Sequence, residues 1–488
     1  MTTTAPLILG VSGLRGIVGA SLTPEFAARY AATVANWLDS KSLEGPVVIG
    51  RDGRAGSDTI YHAAIAGLTG AGRDVIPLDV AMTPTVAVAV DTLDAAAAVI
   101  VTASHNPQQW NGLKVLVREL PGGEHQAVAA CAPAAADAAQ LVERFNTSDP
   151  AYAAALDAGS LAPVFDGPAT HIALVAEALA DLTPGAFAEG MTVVVDAVNA
   201  SGGTVANGLA DFGARAIHIA ADGSGIFPHT PEPTAENLAG TGGLCDAVPG
   251  LGAVAGFAQD PDADRLALVD EAGRYIGEEY TLVLCAEAVL GALGDQAAGT
   301  TICTNLSTSR MIEDVAKAYG AKVVRAAVGE ANVVDAMKSH GAVIGGEGNG
   351  GVIWPETTYV RDSLAGMALV LALLARTGKT LSQLVADVNA LAPGGQGYAI
   401  EKRKVDIPSR DAARPAVEAI AKAYAGETVD LQDGVRIDWA NYAGTAGNAW
   451  LHVRASNTEP IMRLIAEAST DEHARAILDD ATAVIAKG

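Results

Sequence analysis

Short apolar runs alternate with helical stretches along the first third of the chain, and the same alternation restarts twice further on. Thr23, Pro24 and Glu25 combine an N-cap, a first-turn proline and an acid suited to the helix dipole, and they predict a helix to about residue 38. A strand over 46–50 follows, ending in Arg51, Asp52, Gly53 and Arg54; then come a helix over 57–71, a strand over 74–78, a helix after Thr83 and a strand over 95–101. This order favours a parallel or mixed sheet with helices on its faces. An alanine-rich stretch over 127–139 predicts a helix leading to a boundary near 150–160. A second unit reads as helix 170–180, strand 192–196, helix 203–212 and strand 216–219. A third, from about residue 272, reads as strand 300–304, helix 307–319 and strands 322–326 and 342–346. Pro393, Gly394 and Gly395 mark another break, and beyond it helices over 412–425 and 472–487 flank strands over 450–453 and 462–467. The expected fold class is α/β: three mixed α/β domains over 1–155, 156–270 and 271–390, plus a smaller α+β domain over 391–488.

At 488 residues the chain is too long for one core. Half of it is hydrophobic but only 5% is aromatic, so much of the apolar content is alanine and valine, which suits helices lying close on parallel strands. With 31 basic and 56 acidic side chains the net charge is −25, so the chain should repel nucleic acid and anionic membrane surfaces. An anionic substrate would need arginines and lysines gathered locally against that field. Cys131, Cys245, Cys285 and Cys303 are widely spaced, with no CxxC pair, which predicts reduced thiols and a cytoplasmic location. The longest apolar stretch, over 365–375, is about half the length a membrane span needs. No signal-peptide pattern opens the sequence.

Four loops carry chemistry. The first, Thr102-Ala103-Ser104-His105-Asn106-Pro107, ends a buried-looking strand with an outward serine. The second is Asp260-Pro261-Asp262-Ala263-Asp264-Arg265, where three alternating carboxylates can converge on a hard cation; without one they would repel and raise one another's pKa. It lacks the central glycine and closing glutamate of an EF-hand. The third, over 345–351, has five glycines that let backbone approach a ligand, leaving Glu347 and Asn349 to bond sugar hydroxyls; a hinge is the alternative reading. The fourth, over 454–460, offers Arg454, Ser456, Asn457 and Thr458 as an anion cradle, although the same residues also favour a plain turn.

These four loops, in this order, resemble the signature of the α-D-phosphohexomutase superfamily, and the likeness extends through Ser12–Gly16 and Asn111–Lys114. It implies four domains around a central cleft, the first three sharing a mixed α/β core. It further implies that Ser104 is a phosphorylated serine and that Asp260, Asp262 and Asp264 hold Mg²⁺ together with an oxygen on Ser104. Arg15, Arg265 and Lys114 would surround the transferring group with positive charge, and Lys114 would act in acid/base work if its surroundings lower its pKa. Glu347, Gly348 and Asn349 would bind the sugar, with Arg454, Ser456, Asn457 and Thr458 on its phosphate. The implied reaction moves a phosphoryl group between C6 and C1 of a phosphorylated hexose through a hexose 1,6-bisphosphate.

One position departs from the pattern. Many members carry Ser-Gly-His after the sugar-loop glutamate, but here the residues are Asn349, Gly350 and Gly351, so Lys114, His105 or another group transfers the proton, or the step depends mainly on positioning. His105 has a plainer role open to it, shaping the serine loop. The form of the glycine-rich loop, with Gln109, Trp110 and Asn111 after the serine loop, most resembles branches assigned to phosphoglucosamine mutase, which implies glucosamine 6-phosphate as substrate, with phosphomannomutase/phosphoglucomutase activity as the alternative. A metal-dependent serine phosphatase is the competing enzyme class, and a non-catalytic sugar-phosphate sensor would have no need of Ser104 or the three aspartates.

Overall fold

The computed structural model describes residues 6–10, 13–118, 129–180, 182–183, 185, 187–442, 449–456 and 461–486. The chain divides into two compact bodies, Met1–Ala292 with Val343–Ser382 and Leu293–Ala342 with Gln383–Gly488.

The first body begins with a mixed sheet in the order Ile8–Gly10, Gly13–Ile17, Trp110–Arg118, Ala97–Val101, Val47–Arg51, Val75–Val80. The strand Ala97–Val101 is buried throughout and sorts its side chains by alternation. Val99 and Val101 join an apolar cluster with the helices Pro24–Ser40 and Ser57–Gly70. Ala98 and Ile100 join another with the helix Thr83–Thr92. A strand covered on both faces must be apolar on both, which is why this run reads as continuous hydrophobicity. The Thr23 hydroxyl accepts from Phe26 N at the start of the first helix, as the N-cap reading predicts.

A second sheet sets Arg215–Ala220, Thr192–Asp196 and Ala255–Gln259 in parallel and closes with the antiparallel strand Leu266–Asp270. The aspartate loop is the turn of that last hairpin. Another hairpin in this body, Ile344–Glu347 with Gly351–Ile353, carries the glycine-rich loop. The apolar stretch over 365–375 lies in the buried helix Ser363–Thr377, capped by the Asp362 carboxylate. No single helix among the described residues is long and apolar enough to cross a membrane.

The second body holds the parallel strands Thr301–Asn305 and Lys322–Ala326 and a five-stranded antiparallel sheet. Val435, Ile437, Leu451, Val453 and Leu464 of that sheet pack in an apolar cluster with the helices Ala413–Ala423 and Asp471–Ile485. Alternate residues Arg436, His452 and Glu467 are buried too, so the opposite face is covered although polar.

Three sequence expectations change. The segment expected as helix over 203–212 forms two 3₁₀ turns, Ser201–Thr204 and Ala206–Ala210, because glycines 202, 203 and 208 weaken an α-helix. The helix expected over 307–319 starts at Met311, since the Asn305 side chain accepts from Ser307 N and Thr308 Oγ1 and closes a turn first. The alanine-rich helix runs Ala135–Thr147; Pro133 disfavours helix at the residue before it, and Ala130–Cys131 pairs as a strand instead. Residues 127 and 128 lie outside the described residues.

Candidate active site

The serine loop is held from beneath by a buried ion pair. Asp52 and Arg54, at the end of the strand parallel to Ala97–Val101, bond each other at 2.8 Å and are fully buried. Asp52 accepts from Thr102 Oγ1 at 2.7 Å, and Thr102 Oγ1 accepts from Ser104 N at 2.8 Å. Arg54 donates to the carbonyls of Ser104, Asn106 and Trp110. Ser104 takes φ 49°, a left-handed conformation that a residue with a Cβ adopts only when its surroundings impose it. The hydroxyl thus lies 2.9 Å from Asp260 Oδ2 and 3.3 Å from His105 Nδ1.

The aspartate loop is equally constrained. Ala263 has φ 53°, its carbonyl accepts from Ser363 Oγ at 2.6 Å, and the Pro261 carbonyl accepts from Ser201 Oγ at 2.7 Å. Ligand oxygens of Asp260, Asp262 and Asp264 fall within 4.8 Å of one another, all three residues being buried. Thr83 Oγ1 and Lys114 Nζ donate to Asp262 Oδ2, and Lys114 Nζ donates to Asp264 Oδ2 at 3.0 Å. Asp262 Oδ1 and Asp264 Oδ1 are buried and accept no hydrogen bond among the described residues. Buried carboxylate oxygens that converge without donors fit a hard divalent cation.

The charges follow from this geometry. Burial lifts the Asp260 carboxyl well above the usual carboxylate range, and Asp262 and Asp264 push the same way. Burial also opposes charge on Asp262 and Asp264, but Lys114, and at Asp264 Arg361 before it, hold both below that range. For Lys114 burial works against the ammonium, yet Asp262 and Asp264 outweigh it and raise its pKa; the lowering that acid/base work would need is absent. Burial, then Arg265 and Arg15, lower His105 to about 3, so its ring is neutral near pH 7. Arg15 donates to Asn106 Oδ1 at 3.2 Å, and burial lowers its pKa. Arg265 N donates to Asp260 Oδ1 at 3.2 Å.

In the glycine-rich loop, Glu347 Oε2 accepts from Arg361 Nη1 at 2.8 Å and Asn349 Oδ1 accepts from Gly351 N at 3.3 Å. Gly348 packs against a side chain: a Cβ there would lie 2.0 Å from Glu279 Oε2. Arg15, Ser104, His105, Lys114, the three aspartates, Arg265, Glu347, Gly348 and Asn349 all belong to the first body, and Arg454 and Ser456 to the second. Ser456 N donates to the Ile461 carbonyl at 2.9 Å, while Asn457 and Thr458 lie outside the described residues.

Four models of the phosphoglucomutase/phosphomannomutase family match in series: α/β/α domain I over residues 6–134, domain II over 175–273, domain III over 278–391 and the C-terminal domain over 403–484. A phosphoglucomutase/phosphomannomutase of Thermococcus kodakarensis is 33% identical over 97% of each chain. The chain belongs to this family. A probable phosphoglucosamine mutase of Methanopyrus kandleri is 30% identical over 96% of each chain. Among solved structures, a phosphoglucomutase/phosphomannomutase family protein of Burkholderia thailandensis covers 98% of each chain at 24% identity with a TM-score of 0.77.

Three parts of this candidate site are not legible in the sequence as site residues. Asp52 and Arg54 were visible only as a charged end to a strand, and Thr83 as a helix start. Arg361 carried no signal at all: it lies outside the four loops, 97 residues from Asp264 and 14 from Glu347.

Proposed function

We propose that this phosphohexomutase interconverts a hexose 6-phosphate and a hexose 1-phosphate through phospho-Ser104, with glucosamine 6-phosphate as the preferred substrate. The observation that carries this reading is the Ser104 hydroxyl, 2.9 Å from the first of three buried, converging carboxylates. Phospho-Ser104 gives its phosphoryl group to the free C1 hydroxyl of a bound 6-phosphate. The Oγ–P bond breaks as the new O–P bond forms, and the hydroxyl proton ends on Ser104 Oγ. Turned end for end, the 1,6-bisphosphate returns its other phosphoryl group to Oγ, and the proton passes to the freed C6 hydroxyl. His105 Nδ1, 3.3 Å from Oγ, is the group outside the aspartate set that is placed to relay that proton. Mg²⁺ bound by Asp260, Asp262 and Asp264 would supply charge neutralisation for the phosphoryl group. Arg15, Lys114 and Arg265 hold the group's oxygens, Glu347, Gly348 and Asn349 bind sugar hydroxyls, and Arg454, Ser456, Asn457 and Thr458 take the phosphate that is not reacting.

The glucosamine reading is supported by the name of the Methanopyrus relative; the name of the Thermococcus relative favours the alternative, mannose or glucose phosphates. Relative kcat/KM on glucosamine, glucose and mannose 6-phosphates with Mg²⁺ and catalytic bisphosphate decides between them. Release of free phosphate without any sugar 1-phosphate would instead identify a phosphatase. Mass spectrometry should find one phosphate on Ser104 after bisphosphate treatment and none on Ser104→Ala.

A further inference from the structure

Gly351 closes the glycine-rich loop at a point with no room for a side chain. A Cβ there would lie 2.2 Å from Arg361 Cδ and 3.0 Å from its Cγ, so the aliphatic stem of Arg361 runs through the space that any other residue at 351 would fill. At the end of that stem the buried guanidinium spans two loops. Nη1 donates to Glu347 Oε2 at 2.8 Å and Nη2 donates to Asp264 Oδ2 at 2.6 Å. The backbone beneath it is fixed by the next residue. Asp362 Oδ1 caps the helix Ser363–Thr377, and its Oδ2 lies 2.9 Å from His171 Nε2, whose Nδ1 lies 2.9 Å from Thr85 Oγ1. All three residues of that chain are buried.

This arrangement decides which oxygens are offered to a cation. Arg361 and Lys114 together occupy Asp264 Oδ2, leaving Oδ1 as its oxygen without a donor. Thr83 and Lys114 do the same at Asp262. A planar guanidinium suits two carboxylates in fixed directions, whereas an ammonium offers one point charge.

We propose that Arg361 is a positioning residue coupling the aspartate loop to the glycine-rich loop: it presents Asp264 to the metal through a single oxygen and orients Glu347 for the sugar, and Gly351 is glycine to let its stem pass. The second half of this statement rests on the phosphohexomutase reading above; the first does not.

The test is a double-mutant cycle on the full-length chain with Arg361→Met, Gly351→Ala and the pair, plus Arg361→Lys. Mg²⁺ affinity is read by calorimetry on substrate-free protein, and kcat and KM are read separately. Arg361→Met should weaken Mg²⁺ binding roughly tenfold, the low end of what loss of a partner to a metal ligand does. It should lower kcat by about 100-fold, a size seen when positioning is lost. Gly351→Ala, which displaces the stem, should reproduce both losses, and the double variant should be no worse than the worse single. Arg361→Lys should recover part of the Mg²⁺ affinity but little of kcat, because a single ammonium nitrogen replaces the two guanidinium nitrogens that reach Glu347 and Asp264 separately. Additive losses in the double variant, or unchanged Mg²⁺ affinity in a folded Arg361→Met protein, would overturn the proposal. If Arg361→Met does not fold, Gly351→Ala and Arg361→Lys test the same coupling: unchanged Mg²⁺ affinity and kcat in both would overturn it equally. A wild-type protein that turned over no hexose phosphate would sink the function reading and leave the metal half of the test standing.

Discussion

The first body buries charge around Asp260, Asp262 and Asp264, and the second gathers it around the buried Arg436 with half-buried Asp438 and Glu313, but the two groups are balanced differently. In the second body Asp438 and Glu313 each meet guanidinium groups. Asp438 accepts from Arg436 and Arg310 at 2.8–2.9 Å, Glu313 accepts from Arg325 at 3.0 Å, and the Arg436 guanidinium stacks 4.3 Å from the centre of the Trp450 ring. Burial resists ionisation of Asp438 and Glu313, yet these arginines hold both below the usual carboxylate range. In the first body three carboxylates face one another, Asp260 is pushed up, and two buried oxygens accept nothing among the described residues. Carboxylates held low by arginines lock a structure, whereas a buried carboxyl pushed up among like charges, as Asp260 is, marks a site kept for a ligand.

Removing one of the unmatched carboxylates should therefore separate activity from stability. Asp260→Asn keeps the shape beside Ser104 but relieves repulsion. It should lower kcat roughly 1000-fold, about 4 kcal/mol on the barrier, while the unfolding temperature rises. Steady-state kinetics beside calorimetric unfolding checks both. A fall in unfolding temperature would mean the aspartate group is a structural lock like its counterpart.

The opposite outcome is expected at Arg436, which is buried and bonded to the Leu306 carbonyl as well as to Asp438. Arg436→Ala should lower the stability of the second body by about 2 kcal/mol, since it empties a buried site against Trp450 and takes from Asp438 one of its two arginines. Urea unfolding followed by tryptophan fluorescence measures this, since Trp439 and Trp450 report on that body. A loss well under 1 kcal/mol would erase the contrast.

These two groups also differ in how far the sequence shows them. The Asp260, Asp262 and Asp264 spacing is local, so a single hairpin turn brings the three together and the pattern is readable from six residues. The helix Pro24–Ser40 and the buried strand Ala97–Val101 are legible for the same reason, through a cap and an unbroken apolar run. Arg361 and Asp264, 97 residues apart, meet only because the segment before the helix Ser363–Thr377 packs on the aspartate hairpin, and nothing at either position announces the other. Arg310 and Asp438, 128 residues apart, are hidden likewise. The turns over 201–210 mislead because apolar residues at helical spacing outweigh the glycines between them.

His452 gives the second group a pH dependence whose sign can be worked out. Its Nε2–H donates to the Asp433 carbonyl at 2.7 Å and its Nδ1 lies 2.8 Å from Ser307 Oγ, an arrangement that uses the neutral ring. Burial, opposed by the Asp433 contact and aided by Arg436 and Arg454, lowers its pKa from 6.5 to about 4. Below pH 6.5 the unfolded chain binds a proton that the folded ring refuses, so this contribution to stability is full at neutral pH and is lost as pH falls towards 4. The loss should approach about 3 kcal/mol across that window, at about 1.4 kcal/mol per pH unit. His452→Gln should flatten the dependence between pH 6 and 4; a slope equal to the wild type would place the titrating group elsewhere.

The smallest effect sets the baseline for the others. Arg414 and Glu418 form an ion pair at 2.8 Å on the helix Ala413–Ala423, with 88% and 63% of their side chains exposed. Water already solvates both groups, and pairing them orders two long side chains, so Coulomb attraction and lost entropy nearly cancel. Glu418→Ala should change stability by no more than about 0.5 kcal/mol. The residual effect should shrink further in 0.5 M salt, where screening removes attraction between exposed charges but leaves the buried pair at Arg436 almost untouched. Parallel urea titrations of Glu418→Ala and Arg436→Ala at low and high salt test this directly. If both respond to salt equally, burial is not what separates a locking ion pair from an idle one in this chain.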